Sequence, residues 1–297
     1  MKQWTARRLG IACGLTSAFL GFAYLLAAGA PMPSLAIQAA ALALGLVALP
    51  ILAILSRMSP PGGADVLLVL LGSALLLTAL FGLEASGATR WVRLGAVNLQ
   101  PSLALLPPML LLYARRPGPV GASGMILAAI GLALQPDRAM AGALAVSLTT
   151  LAIWRPDPFT FAGAAGGILA FAAALAQPDS LPAVPFVDNI LYSAFDVHPL
   201  TGFSVLAGAV ILLLPVFGTG KAPERLVFGA VWLAILLAAA IGNYPTPVVG
   251  YGGSALLGYW LSVALLPDRL HPEPARDATD SAAPEPSPGD PLLRAAV

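Results

Sequence analysis

Residues Tyr244 to Gly258 read Y-P-T-P-V-V-G-Y-G-G-S-A-L-L-G. The stretch closes one apolar run and opens another, yet it places two prolines and four glycines at the joint. Proline lacks an amide hydrogen and pushes the preceding residue toward extended geometry, so Pro245 and Pro247 end the helix before them. Gly252 and Gly253 admit backbone angles and close approaches that a side chain would block. Irregular backbone between membrane-length runs is tolerated where it lines a cavity or is buried in protein. The stretch therefore predicts a helical membrane bundle carrying a built, non-helical element. A tight structural turn is compatible with that reading.

Composition points to the same solvent. Of 297 residues, 58% are hydrophobic and 10% charged, where a soluble domain carries about 25% charged residues. Mean hydropathy is +0.86. A net charge of +1 gives no footing for a nucleic-acid partner. The single cysteine, Cys13, excludes an internal disulfide and any cysteine-based zinc site. It reads as a packing residue inside an apolar run.

Charges divide the chain into ten apolar segments, about 9–29, 34–55, 65–83, 102–114, 120–134, 139–154, 159–176, 200–218, 225–243 and 251–267. The first is read as a retained span rather than a cleaved leader. Several fall short of the ~20 residues that cross a bilayer upright, which suggests tilted or broken helices. The predicted fold is an all-α polytopic membrane protein of about ten transmembrane helices. With the N-terminus inside, the cytoplasmic joints hold Arg57, Arg115, Arg116, Arg155, Lys221 and Arg225, with Arg269 after the last span. Outer joints hold only Arg90, Arg93 and Arg138. The positive-inside rule places both termini in the cytoplasm. Residues 1–268 form the membrane domain, and the Pro-, Ser- and acid-rich stretch 269–297 reads as a disordered cytoplasmic tail.

Polar groups concentrate in the outer joints: Glu84 to Ser102, Gln135 to Arg138, Gln177 to Gly202, and the stretch quoted above. Polar groups at the edge of hydrocarbon mark candidate substrate paths. Glu84 and Asp179 read as solvated loop charges. Asp188, flanked by Pro-Phe-Val and Ile-Leu-Tyr, reads as partly buried, and a desolvated carboxylate has a raised pKa suited to accepting protons. Arg90 and Arg93 are three apart and read as a grip for phosphate oxygens, with the amphipathic Trp91 between them. His198 has no second His or Cys for a metal motif. The arrangement suggests a lipid-linked phosphate: arginine for the head, apolar grooves for the tail.

Four of these stretches resemble the SEDS family, the FtsW/RodA/SpoVE group of shape, elongation, division and sporulation proteins. A-T-R-W-V-R-L-G…L-Q-P-S, Ala88 to Ser102, is similar to the family's A-T-R-W-I-x-L-G…L-Q-P-S-E. Q-P-D, Gln135 to Asp137, resembles the start of Q-P-D-L-G-T. Val187 to Gly202 follows the spacing of T-D-F-I-F-A-V-I-x-E-E-L-G-x-x-G, and Pro245 to Leu257 resembles P-L-P-F-I-S-Y-G-G-S-S-L-L. The order is preserved and the resemblance covers about residues 5 to 268. It implies a SEDS-like bundle in the bacterial cytoplasmic (inner) membrane, with its polar site facing the cell exterior. The implied activity is peptidoglycan glycosyltransfer: polymerisation of lipid II, an undecaprenyl-pyrophosphate-linked disaccharide-peptide, alongside a class B penicillin-binding protein. The family's essential aspartate falls on Asp188, implying a general base, and its downstream acid on Asp196. Arg90 would offset pyrophosphate charge. Trp91, Gln100, Ser102, Gln135, Asp137, Arg138, Tyr251, Gly252, Gly253 and Ser254 complete the implied substrate site. No cofactor is called for by these motifs, and the need for a divalent cation is left open.

The chain also departs from the pattern. The Glu and Lys that follow Q-P-S are here Leu103 and Leu106. After Q-P-D the family's L-G-T is R-A-M, so that Arg138 is a new cation that could replace the lost lysine. A glycine-rich segment of the large outer loop is missing. A catalytically impaired paralogue that binds a partner or lipid is therefore an alternative, and a lipid II flippase ranks last.

Overall fold

The computed structural model describes residues 4–58, 60, 62–95, 97–179 and 181–268. The expected tail, 269–297, and Arg269 lie outside the described residues. Among the described residues eleven α-helices run in order: α1 (Ala6–Ala27), α2 (Met32–Met58), α3 (Gly63–Phe81), α4 (Pro101–Arg115), α5 (Pro119–Leu134), α6 (Arg138–Trp154), α7 (Pro158–Leu175), α8 (Ile190–Val197), α9 (Pro199–Ile211), α10 (Ala222–Ile241) and α11 (Gly253–Leu265). Ten of them match the ten apolar segments. Five, α1, α2, α3, α7 and α10, are long and apolar enough to cross a membrane, and α5, α6, α9 and α11 are shorter apolar helices.

The sequence sets many of the helix starts. Pro101, Pro119, Pro158 and Pro199 each occupy the first helical turn, where a missing amide costs nothing. Asp157 closes a capping box on α7, and Asp137 Oδ1 accepts the Met140 amide at the start of α6. Segment 200–218 is not one helix: α9 ends at Ile211 and a 3₁₀ turn, Leu214–Phe217, follows, with Pro215 inside it.

Helix α4 is the axis of the bundle. It is buried over nearly its whole length and packs on α11, α10, α3 and α6. Beside it Tyr259 stacks edge-on against Phe228, Trp232 and Trp260, with centroids 5.7, 5.2 and 6.0 Å apart. Each such pair adds about 1 kcal/mol beyond burial. Small residues set the closest contacts, as membrane helix interfaces favour. A side chain at Gly258 of α11 would run into the Leu103 carbonyl of α4. One at Gly124 of α5 would meet the backbone of Leu68 on α3.

Two outer joints carry more structure than expected. Residues 83–99 form a small antiparallel sheet in the order β1 (Leu83–Ala85), β2 (Ala88–Leu94), β3 (Val97–Leu99). Ser86 and Gly87, both at positive φ, make the two-residue turn between β1 and β2, as a primed hairpin turn requires. Helix α8 lies in the long joint after α7.

Most of the basic residues gather at one end, with Arg90, Arg93 and Arg138 at the other. The Arg7 and Ala6 amides donate to Pro267 and Thr219 carbonyls, and Arg7 pairs with Asp268 at 3.3 Å. Arg155 donates to the Arg115 carbonyl, and Arg115 to the Leu265 carbonyl. The start of α1, the joint before α10 and the end of α11 therefore meet. The sheet, Asp137, Asp188 and the 242–252 joint belong to the other ends of these helices.

Candidate functional site

The central strand β2 alternates its side chains between faces. Ala88 and Arg90 turn inward and are buried, while Trp91 is half-buried and Arg93 exposed. The two arginines therefore do not form a joint grip. Arg93 reaches only Asn98 Oδ1, at 3.5 Å. Arg90, 3% exposed, forms an ion pair with Asp179 at 3.1 Å. It also donates to the carbonyls of Gln135 and Pro136 and lies 5.9 Å from the centroid of the Tyr244 ring. Tyr244 Oη donates to the same Asp179 oxygen. Burial alone would lower the Arg90 pKa, but Asp137, Asp179 and Tyr244 outweigh it and the net direction is up. Burial, then Asp179, pushes the Tyr244 hydroxyl well above its ordinary value. Asp179 is thus no solvated loop charge. It is the largely covered counter-ion of Arg90.

A second cluster joins three motifs. Gln100 Nε2 donates to Ser102 Oγ at 3.2 Å and to Asp137 Oδ2 at 3.1 Å. Ser102 Oγ donates to the same carboxylate oxygen at 3.0 Å. The Gln100 amide donates to Ser254 Oγ at 2.9 Å, tying the start of α4 to the start of α11. Asp137 is fully buried. Gln135 Nε2 donates to the Leu75 carbonyl at 2.7 Å, and its buried Oε1 has no partner.

Asp188 sits in the joint between α7 and α8, in an isolated antiparallel bridge with Pro245. Thr246 donates to the Val187 carbonyl at 3.0 Å and Tyr251 to the Phe186 carbonyl at 2.7 Å. The quoted stretch is thereby laced to the segment that carries Asp188. Asp188 is 8% exposed, and its carboxylate accepts the Val184 amide at 2.8 Å. Burial raises its pKa, against a smaller lowering from that hydrogen bond. Pro245 adjoins Tyr244, so the bridge connects Asp188 to the Arg90–Asp179 pair through one residue of backbone.

Gln38 completes the joint and was not singled out from the sequence. It is 1% exposed. Its Nε2 donates to the Val248 and Gly250 carbonyls at 3.2 and 2.9 Å, and its Oε1 accepts the Gly252 amide at 3.1 Å. A lone amide in the apolar run 34–55 was the available signal, because such a residue needs a partner. The hydrogen bonds matter because α11 has only 13 residues. It rises about 20 Å, short of the ~30 Å of a hydrocarbon core, and the irregular 242–252 joint precedes it.

Other expected site residues lie elsewhere or differ in role. Arg138 donates to the Ala174, Leu175 and Gln177 carbonyls. It caps the end of α7. Asp196 is exposed on α8, and His198 Nδ1 accepts the Leu200 amide at the start of α9. Gly252 has φ 175, extended backbone that any residue adopts, and open space where a side chain would stand. The crowded glycine of the joint is Gly250, against Ile190 and the Thr246 carbonyl. Among the described residues no group of three or more His, Cys, Asp and Glu converges.

No family model matches the chain, and no curated protein matches it by sequence. Solved structures do. The crystal structure of the rod shape determining protein RodA from Thermus thermophilus superposes with a TM-score of 0.59 over 86% of this chain and 93% of that one, at 23% identity. This chain has the fold of RodA. An aspartate-to-alanine mutant of the same RodA gives a TM-score of 0.56 over 86% and 94%, also at 23% identity. A chain from a peptidoglycan synthase complex that coordinates polymerization and crosslinking gives 0.54 over 86% and 95%, at 22% identity. The RodA fold accounts for the ten apolar helices, and the Asp188, Arg90 and Gln100 clusters all belong to one end of it.

Proposed function

We propose that the chain is a SEDS protein of bacterial cell-wall synthesis that polymerises a lipid-pyrophosphate-linked glycan, with Asp188 as general base. The observation that carries this reading is the bridge that holds the buried Asp188 against the Tyr244–Gly258 joint, on a RodA fold. Asp188 takes the proton of the acceptor sugar hydroxyl. The oxygen attacks the donor's anomeric carbon, and the carbon–oxygen bond to pyrophosphate breaks. The leaving pyrophosphate carries the electron pair. Arg90 offsets that charge. Arg90 is already saturated by Asp179, two carbonyls and the Tyr244 ring, so a donor phosphate reaches it by taking the place of Asp179. The Gln100–Ser102–Asp137 cluster, tied to Ser254, braces the helix starts behind the site, with the open face of Gly252 toward substrate. The protein works in the cytoplasmic membrane with its basic end inside, alongside a class B penicillin-binding protein. Polymerisation of lipid II by the purified chain and that partner tests the reading.

One observation favours a second reading, a partner- or lipid-binding paralogue without activity. Leu103 and Leu106, where the family carries Glu and Lys, are buried in the apolar core. The same assay separates the two.

A further inference from the structure

The basic end of the bundle, remote from Asp188, encloses a cavity of about 370 Å³. Five charged side chains line it, Arg7, Arg115, Lys221, Glu224 and Asp268, with Leu265 on an apolar wall. Arg7 and Asp268 pair at 3.3 Å, and Arg115 donates to the Leu265 carbonyl. Glu224, in the first turn of α10, is 5% exposed and its Oε2 has no hydrogen-bond partner. Lys221 is exposed at the same helix start, and its side chain caps nothing.

A buried carboxylate oxygen without a donor is costly, and three cations face two carboxylates across the cavity. A ligand that relieves both must bring anionic oxygens for Arg115 and Lys221 and a hydroxyl that donates to Glu224 Oε2. A phosphodiester with a hydroxylated substituent meets both demands. The cavity is lined by Ser56, near the end of α2, and by Leu265 and Leu266 at the end of α11, and Leu55 of α2, next to Ser56, presents apolar surface. Acyl chains can follow that surface. Basic pockets between helices on the cytoplasmic side suit anionic headgroups. We propose that this cavity binds the headgroup of an anionic glycerophospholipid that carries free hydroxyls, with phosphate on Arg115 and Lys221 and a hydroxyl on Glu224.

The test is native mass spectrometry of the full chain exchanged against phosphatidylglycerol, phosphatidylcholine, phosphatidic acid and glycerol 3-phosphate. Phosphatidylglycerol should bind about tenfold more tightly than phosphatidylcholine and more tightly than phosphatidic acid, which lacks the headgroup hydroxyls. Glu224→Gln should erase the margin over phosphatidic acid. Lys221→Glu, at an exposed position, should erase most of the margin over phosphatidylcholine. Equal binding of phosphatidylglycerol and phosphatidylcholine, or an undiminished preference in Lys221→Glu, would overturn the proposal. Parity with phosphatidic acid would overturn the hydroxyl contact. Full competition by glycerol 3-phosphate at equal concentration would assign the cavity to a soluble phosphate ester and overturn the lipid.

Discussion

Arg90 and Asp179 form an ion pair at 3.1 Å with both side chains nearly buried. It joins strand β2 to the joint after α7, and Tyr244 binds both partners. Removing one partner of a buried pair leaves the other uncompensated. Arg90→Met and Asp179→Asn should each lower stability, and the double variant should fall short of their sum by about 2 kcal/mol. Cys13 is the only cysteine and is buried, so a thiol-reactive dye reads unfolding directly. In the same pair, Asp179→Asn should lower KM for the lipid donor, since phosphate no longer competes with a resident carboxylate. An unchanged or raised KM would argue against displacement.

Gln38→Leu removes three hydrogen bonds to the 248–252 backbone. At about 1 kcal/mol net each, the loss should be roughly 3 kcal/mol and local. Hydrogen exchange should quicken over the 242–252 joint and stay slow in α4. Uniform quickening throughout the bundle would contradict a pinning role.

The glycines separate packing from substrate access. Gly258→Ala should destabilise by about 1–3 kcal/mol, because overpacking forces α11 off α4. Gly252→Ala should leave stability within about 0.5 kcal/mol, having open space and an extended backbone. Activity lost there with a normal melting temperature would mark the open face as a substrate contact.

Burial holds the Asp188 pKa above the ordinary carboxylate value of about 3.9. A carboxyl raised in the folded state favours the native protein while protonated. That contribution is present below the unfolded pKa and is lost as pH rises through the folded one. Wild type should therefore lose stability relative to Asp188→Asn across that window, while activity rises over the same interval as the base ionises. Parallel melting curves and pH–rate profiles check both limbs. A stability difference that does not change with pH would contradict the burial argument.

The ten helices were legible because lipid demands apolar runs and charges punctuate them. The two-ended charge pattern was legible for the same reason, and the ends meet as it required. The partners of buried polar groups were not. Asp179 looks like any loop acid until β2 brings Arg90 to it, and nothing local to Gln38 shows that it faces a joint more than two hundred positions away. The small sheet was not legible either, because A-T-R-W-V-R-L does not alternate polar and apolar residues. The carbonyl partners of Arg138 at the end of α7 were not legible, because its chemistry suits an anion equally well.

The central claim is that Asp188 removes a proton from the acceptor hydroxyl. Lipid II polymerisation, read as glycan strands on a gel, should be run with the purified chain and a class B penicillin-binding protein. Wild type should be set beside Asp188→Asn, with folding checked through Cys13. Strands from wild type and none from the variant is the predicted result. Equal strands from both, or none from either beside an active RodA, would contradict it.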